Sequence, residues 1–136
     1  MICLLDTSAC VHYFRRSDSA VRPWLASVNR SSVFLCSVVR AELLVGIRKR
    51  PVERQRLILM EFLAAFGSLP FDDAAAEVYA DIRADLERQG QVIGPYDMQI
   101  AAIAVTHGAT LVTGNLKEFQ RVPSLSCLSL EDLVRS

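Results

Sequence analysis

Several familiar catalytic signatures are missing from this 136-residue chain: it has no C-x-x-C pair, no Walker loop, no G-x-G-x-x-G, no H-E-x-x-H and no Ser-His-Asp elbow. Thiolate zinc sites, P-loop and dinucleotide chemistry, zinc proteases and serine hydrolases are thereby set aside. Histidine is scarce, and His12 and His107 each stand alone in an otherwise apolar stretch, which suits structural roles. The four cysteines (Cys3, Cys10, Cys36, Cys127) are scattered inside apolar segments and read as small reduced core residues. No run of Gly, Ser, Pro or Gln marks a linker or tail. The apolar opening MICLLDTSACV lacks a positively charged start and is interrupted by Asp6, so it fits neither a signal peptide nor a membrane span, and the cytoplasm is the expected location. Net charge is also absent, the formal total being zero. The field of the whole molecule therefore does not favour a polyanion, and any such site must be local.

What is present is globular: 51% hydrophobic and 22% charged residues, in a length expected to form one domain over residues 1–136. Arg far outnumbers Lys, with clusters at Arg15-Arg16, Arg48-Lys49-Arg50, and Lys117 with Arg121. Guanidinium forks suit phosphate oxygens, although a solvated face is the commoner use of such clusters. Arg15, Arg40, Arg48 and Lys117 are the candidates for phosphate contact.

Apolar runs without alternation at 2–5, 33–36 and 110–113 predict strands buried on both faces, with weaker strands at 69–71 and near 125–130. Helical spacing fills the intervals. Ser8 is placed to cap a helix running to about Arg15, Ser17-Asp18-Ser19 to open a second, and Ser37 to cap a third with Val38, Ala41, Val45 and Arg48 along one side. After Pro51 a long amphipathic helix is expected on the spacing Leu57, Met60, Leu63, Ala64, closed by Gly67. Asp72 and Gly90 bracket a further helix, and Gly94-Pro95 opens one that is apolar on nearly every side until Gly108. A short helical stretch through Phe119 and a terminal helix complete the chain. Strands alternating with helices and helix pairs predict an α/β fold with a mostly parallel sheet covered on both sides. In such sheets ligands bind outside the carboxyl ends of the strands.

Three acids are out of keeping with their surroundings. Asp6 follows directly on the first buried strand, where packing gives no reason for a charge and where Ser8 already offers the cap. Glu42 has Val38, Val39, Val45 and Gly46 as its helical neighbours, and a carboxylate there is costly unless something pairs with it; Gly46 leaves room beside it. Asp97 sits in the first turn of the most apolar helix. There it either complements the helix dipole or is carried inward beside Ile100 and Ala101, and spacing leaves both readings open. Asn115 and Glu118 have the spacing of a capping box, while Thr113 and Asn115 stand at a strand end where they could meet a bound ion or its water. Thr7, Ser8 and Thr113 are the supporting polar groups.

Three carboxylates brought within a few ångströms repel one another, and a divalent cation removes the conflict. All-oxygen ligands select magnesium or manganese. An ion so held can assist in-line hydrolysis of a phosphodiester. Asp6 and Asp97 would hold it, with Glu42 coordinating or taking a proton from the attacking water.

LLDTS at 4–8, VVRAELLVG at 38–46, GPYDMQIAAIA at 94–104 and TLVTGNLKEFQRVPSL at 110–125 together resemble PIN-domain ribonucleases, specifically the VapC toxins of toxin-antitoxin pairs. The likeness runs the length of the chain. It implies a three-layer α/β/α fold, magnesium- or manganese-dependent endoribonuclease activity on structured RNA such as tRNA, a homodimer, and a VapB-like antitoxin partner. Asp6, Glu42 and Asp97 fall on the metal-binding acids of that family. The departure is Asn115, where relatives often carry Asp, so Asn115 or Glu118 is the candidate fourth position. Two rivals stand beside this reading. A haloacid-dehalogenase-like phosphatase also begins strand-Asp, but needs a second Asp where Ser8 stands; a PIN domain for RNA processing, or one that only binds RNA or protein, needs no catalysis.

Overall fold

Cys3, Leu4 and Leu5 are all buried, and they form the middle strand of the structure, a computed structural model that describes residues 1–134. Arg135 and Ser136, and with them the end of the expected terminal helix, lie outside the described residues. From β1 (Cys3–Leu5) the chain passes through α1 (Thr7–Arg15), α2 (Val21–Ser27) and a 3-10 turn at Arg30–Ser32 to β2 (Val33–Cys36). Helices α3 (Ser37–Lys49) and α4 (Glu53–Ala64) lead to β3 (Gly67–Leu69). Then α5 (Asp73–Gln89) and α6 (Pro95–Thr106) return the chain to β4 (Thr110–Thr113), followed by α7 (Leu116–Phe119), β5 (Ser126–Ser129) and α8 (Leu130–Leu133).

The strands pair in the order β3-β2-β1-β4-β5, and every pairing is parallel. Chain direction across the sheet reverses between β1 and β4. Right-handed crossovers therefore put the helices that follow β1 and β2 on one face and those returning to β4 on the other, the α/β/α arrangement expected. Leu4, Leu5, Leu35, Leu111 and Val112 are fully buried in the middle layer. In α6, Met98 and Ile100–Ala104 are buried as well, so its uniform apolarity reflects a helix surrounded on all sides. Each such Leu or Ile contributes about 1.5–3 kcal/mol by leaving water.

Three expectations change. Gly67 does not end a helix: α4 stops at Ala64, and Gly67 opens β3, which lies earlier than 69–71. A Cβ there would stand 2.9 Å from Phe34 Cε1, so glycine lets β3 approach β2. The buried side of α4 is Leu59, Phe62 and Leu63, whereas Leu57 is 55% exposed. Phe62 turns the helix by packing among Tyr13, Phe14 and Phe66, with ring centroids 4.8–5.1 Å away. In α3 the buried residues are Val38, Val39 and Leu43, with Ala41 and Val45 facing out.

His12 takes the structural role expected, its Nδ1 lying 2.6 Å from the buried Ser19 hydroxyl, which also accepts the Val21 N–H at the start of α2. The cysteines are free, with only Cys127 partly exposed. No helix among the described residues is long and apolar enough to cross a membrane.

Candidate active site

Between β1 and β4, where the connections diverge, an open α/β sheet leaves a crevice at the strand ends. Asp6 and Thr113 face each other across it. Asp6 directly follows β1, is 2% exposed, and is itself the N-cap of α1, its Oδ1 accepting the Ala9 N–H at 2.8 Å. This corrects the assignment of the cap to Ser8. The Ser8 hydroxyl instead donates to Asp6, at 2.7 Å from Oδ1 and 2.9 Å from Oδ2, while accepting the Gly114 N–H at 2.8 Å. The buried Thr113 hydroxyl donates to Asp6 Oδ2 at 2.5 Å and accepts the Asn115 N–H at 2.8 Å. Two hydroxyls thus tie the end of β1 to the turn after β4. The Gly114 N–H joins this network, and a Cβ there would lie 3.2 Å from Leu130 Cδ1 and 3.3 Å from Ser8 Oγ.

Burial pushes the Asp6 carboxyl above its ordinary value, opposed by the donors Thr113, Ser8 and Ala9 and reinforced by repulsion from Glu42. Glu42, half-buried on α3, has its Oε1 fixed by the Thr7 hydroxyl at 2.6 Å. Thr7 therefore links the first turn of α1 to the middle of α3.

Asp97 lies in the first turn of α6 behind Pro95, with one carboxylate oxygen 3.6 Å from where a Cβ on Gly94 would stand. Its side chain accepts no hydrogen bond among the described residues, so it is not a helix cap. Its pKa is pushed up to about 6, first by burial and then by repulsion from Asp6, Glu118 and Glu42. No cation enters that balance. Asp6 after β1, Glu42 on α3 and Glu118 on α7 thus each act on Asp97 of α6 by charge repulsion, which sets the four acids in one region. They do not yet close on one point: among the described residues no three acidic, His or Cys side chains are arranged to ligate a single ion.

The capping box expected at Asn115 and Glu118 does not form. Asn115 occupies the N-cap position of α7 without a side-chain bond, and the exposed Glu118 acts on Asp97 through charge repulsion. A capping box appears later, between Ser129 and Asp132. Of the cationic candidates, Arg40 donates to the Leu63 carbonyl at 3.0 Å and so ties α3 to α4, and Arg48 reaches the Leu44 carbonyl at 3.4 Å. Arg15 and Lys117 are exposed and unpaired among the described residues. Two clefts of about 260 and 220 Å³ are lined by residues around Phe62 and around Leu86, and no acid of the cluster lines either.

The PIN domain family profile matches residues 3–125, which includes every one of these acids. The chain belongs to the PIN domain family. Within it, the chain is 35% identical over 123 residues to the tRNA(fMet)-specific endonuclease VapC of Shigella flexneri, covering 90% of this chain and 92% of that one. Ribonuclease VapC2 of Rickettsia felis is 34% identical over 127 residues, covering 92% and 95%. Among solved structures, DNA-bound VapBC from Salmonella typhimurium superposes with a TM-score of 0.89 at 31% identity, covering 96% of this PIN chain and 98% of the other.

Proposed function

We propose that this PIN domain is a divalent-metal-dependent endoribonuclease and the toxin of a VapBC-type pair. The observation that carries the reading is Asp6 held buried at the end of β1 by Ser8 and Thr113, with Glu42, Asp97 and Glu118 near enough to act on one another by charge repulsion that raises the Asp97 pKa to about 6. Like charges gathered around the buried Asp6 and the half-buried Glu42 and Asp97 are unfavourable in themselves, and perturbed carboxyls in a crevice are a sign of function. The donor set fits a hard cation, since it is all oxygen with neither thiolate nor imidazole. Asp6, Asp97 and Glu42 would hold Mg2+ or Mn2+, with Asn115 or Glu118 as the fourth position; of the two only Glu118 brings a charge, which is felt at Asp97. When bound, such an ion supplies positive charge to the phosphodiester and favours attack by water.

The protein groups have separable tasks. Ser8 and Thr113 hold Asp6 in one orientation and bring donors that oppose the upward push of burial on its carboxyl. Thr7 fixes one oxygen of Glu42, leaving Oε2 to coordinate or to take the proton of the attacking water. Lys117, next to Glu118 and free, is suited to gripping the RNA backbone, as are Arg15 and, on releasing their carbonyls, Arg40 and Arg48.

The relative named for tRNA cleavage supports a structured RNA substrate, and the VapBC complex supports a VapB-like antitoxin partner; a homodimer acting in the cytoplasm completes the proposal. A silent, RNA- or protein-binding PIN module is favoured only by Asn115 and by the unclosed ligand set.

The test is RNA cleavage by the purified protein with Mg2+ or Mn2+. Asp6→Asn is expected to abolish cleavage while the protein stays folded. Full activity of that variant, or of the wild type in excess EDTA, would refute the scheme. Expression without the antitoxin is expected to arrest growth, and normal growth of cells making soluble protein would remove the toxin assignment.

A further inference from the structure

Aromatic side chains in this protein are kept from solvent with a single exception. Trp24 and the phenylalanines are buried or half-buried, and Tyr13 and Tyr79 each pack against another ring. Tyr96 is 58% exposed, touches no other ring, and its hydroxyl has no hydrogen-bond partner among the described residues. It is also the residue immediately before Asp97, in the first turn of α6.

The backbone beneath it is well fixed. Pro95 sets the entry to the helix, buried Ile93 anchors the preceding loop, and Arg121 donates to the Val92 carbonyl at 3.2 Å. A rigid aromatic with two side-chain torsions loses little freedom when something stacks on it. On the first turn of a helix the Tyr96 ring and the Asp97 carboxylate diverge from Cα atoms about 3.8 Å apart, so the exposed ring flanks the acids rather than joining them, as a base flanks the phosphate next to it.

Building on the nuclease reading, we infer that Tyr96 is a substrate-binding residue: its ring stacks on an unpaired base next to the phosphate held at the acidic cluster. An RNA base offers a flat π-face whatever its identity, and proteins that read unpaired nucleotides splay them onto exposed aromatic rings. The site therefore selects RNA whose bases are unstacked at the cleavage position, such as a loop, over a continuous duplex. The phenol hydroxyl is dispensable to this role, and the ring is not.

Kinetics and binding of three variants test this. Tyr96→Phe should match the wild type, while Tyr96→Ala should raise KM for an RNA loop about 5- to 100-fold with a smaller change in kcat, the range that loss of one stacked base produces. Replacing the flanking nucleotide by an abasic one should weaken the wild type to the same degree and leave Tyr96→Ala unaffected. Tyr96→Trp read with Mg2+ and a short unpaired RNA whose phosphodiester is replaced by a non-hydrolysable linkage should show fluorescence quenching, with wild-type protein reporting the background from buried Trp24. An unchanged KM in Tyr96→Ala, or RNA binding to Tyr96→Trp without quenching, would overturn the inference. So would a loss confined to association with a protein partner. If the wild type binds RNA with quenching in the Trp variant but cleaves nothing, the nuclease reading fails and the stacking role stands.

Discussion

Replacing Asp97 by Asn should stabilise the metal-free protein at neutral pH, although the same change removes a residue the proposed chemistry needs. Asp97 in the folded chain has a pKa near 6 against an ordinary 3.8. The folded state therefore favours the protonated carboxyl. That contribution is fully present below about pH 4 and is lost as pH rises through 6, so ionised Asp97 opposes folding at pH 8. A shift of roughly two units corresponds to about 3 kcal/mol for a fully buried group. Asp97 is only half-buried, and solvent screening reduces the expected effect to about 1–1.5 kcal/mol. For a chain of this size that is a rise in Tm of about 3–6 °C. The assay is thermal unfolding of wild type and Asp97→Asn in EDTA between pH 4 and pH 8. The two curves should converge at the acid end and separate through pH 6, with the variant the more stable. Added Mg2+ should then stabilise the wild type more than the variant, because only the wild type keeps all the acids proposed to hold the ion. A variant less stable than wild type at pH 8 in EDTA, or a difference independent of pH, would refute the account of the cluster.

Thr113→Val removes a buried donor to Asp6 and leaves the Asn115 N–H without its acceptor, so a loss of about 2–3 kcal/mol is expected in chemical denaturation, and a loss within error would deny the hydroxyl network its weight. Gly67→Ala places a Cβ 2.9 Å from Phe34 Cε1 at the junction of β2 and β3; it should cost about 1–3 kcal/mol in thermal unfolding and leave cleavage at low temperature intact. Arg40→Ala should cost about 1 kcal/mol through the lost bond to the Leu63 carbonyl. If KM for RNA also rises in that variant, Arg40 contacts phosphate as well as tying α3 to α4.

Much of this molecule could be read locally. The strands at 33–36 and 110–113 lie where uninterrupted apolar runs put them, and Gly90 ends α5 in the left-handed conformation (φ 65°) that glycine adopts without strain. Strand-helix alternation sufficed for the parallel sheet. Asp6, Glu42 and Asp97 stood out because each is a charge in an apolar neighbourhood, a contrast visible within a few residues on either side.

Tertiary structure decided the rest, since the deciding partners lie far away in the chain. Thr113 holds Asp6 from 107 residues away, and Thr7 holds Glu42 from 35, and neither pairing leaves a trace in periodicity. Asn115 and Glu118 have the spacing of a capping box, but the local bond is not made, and Glu118 is near enough to Asp97 to act on it by charge repulsion. On α4 the aromatic cluster with Tyr13, Phe14 and Phe66 chose the buried face over the spacing that had favoured Leu57. Local sequence sets which backbone shape is cheapest and which residues are anomalous. Which anomalies meet depends on the crossovers of the sheet, which bring the ends of β1 and β4 together with the first turn of α6.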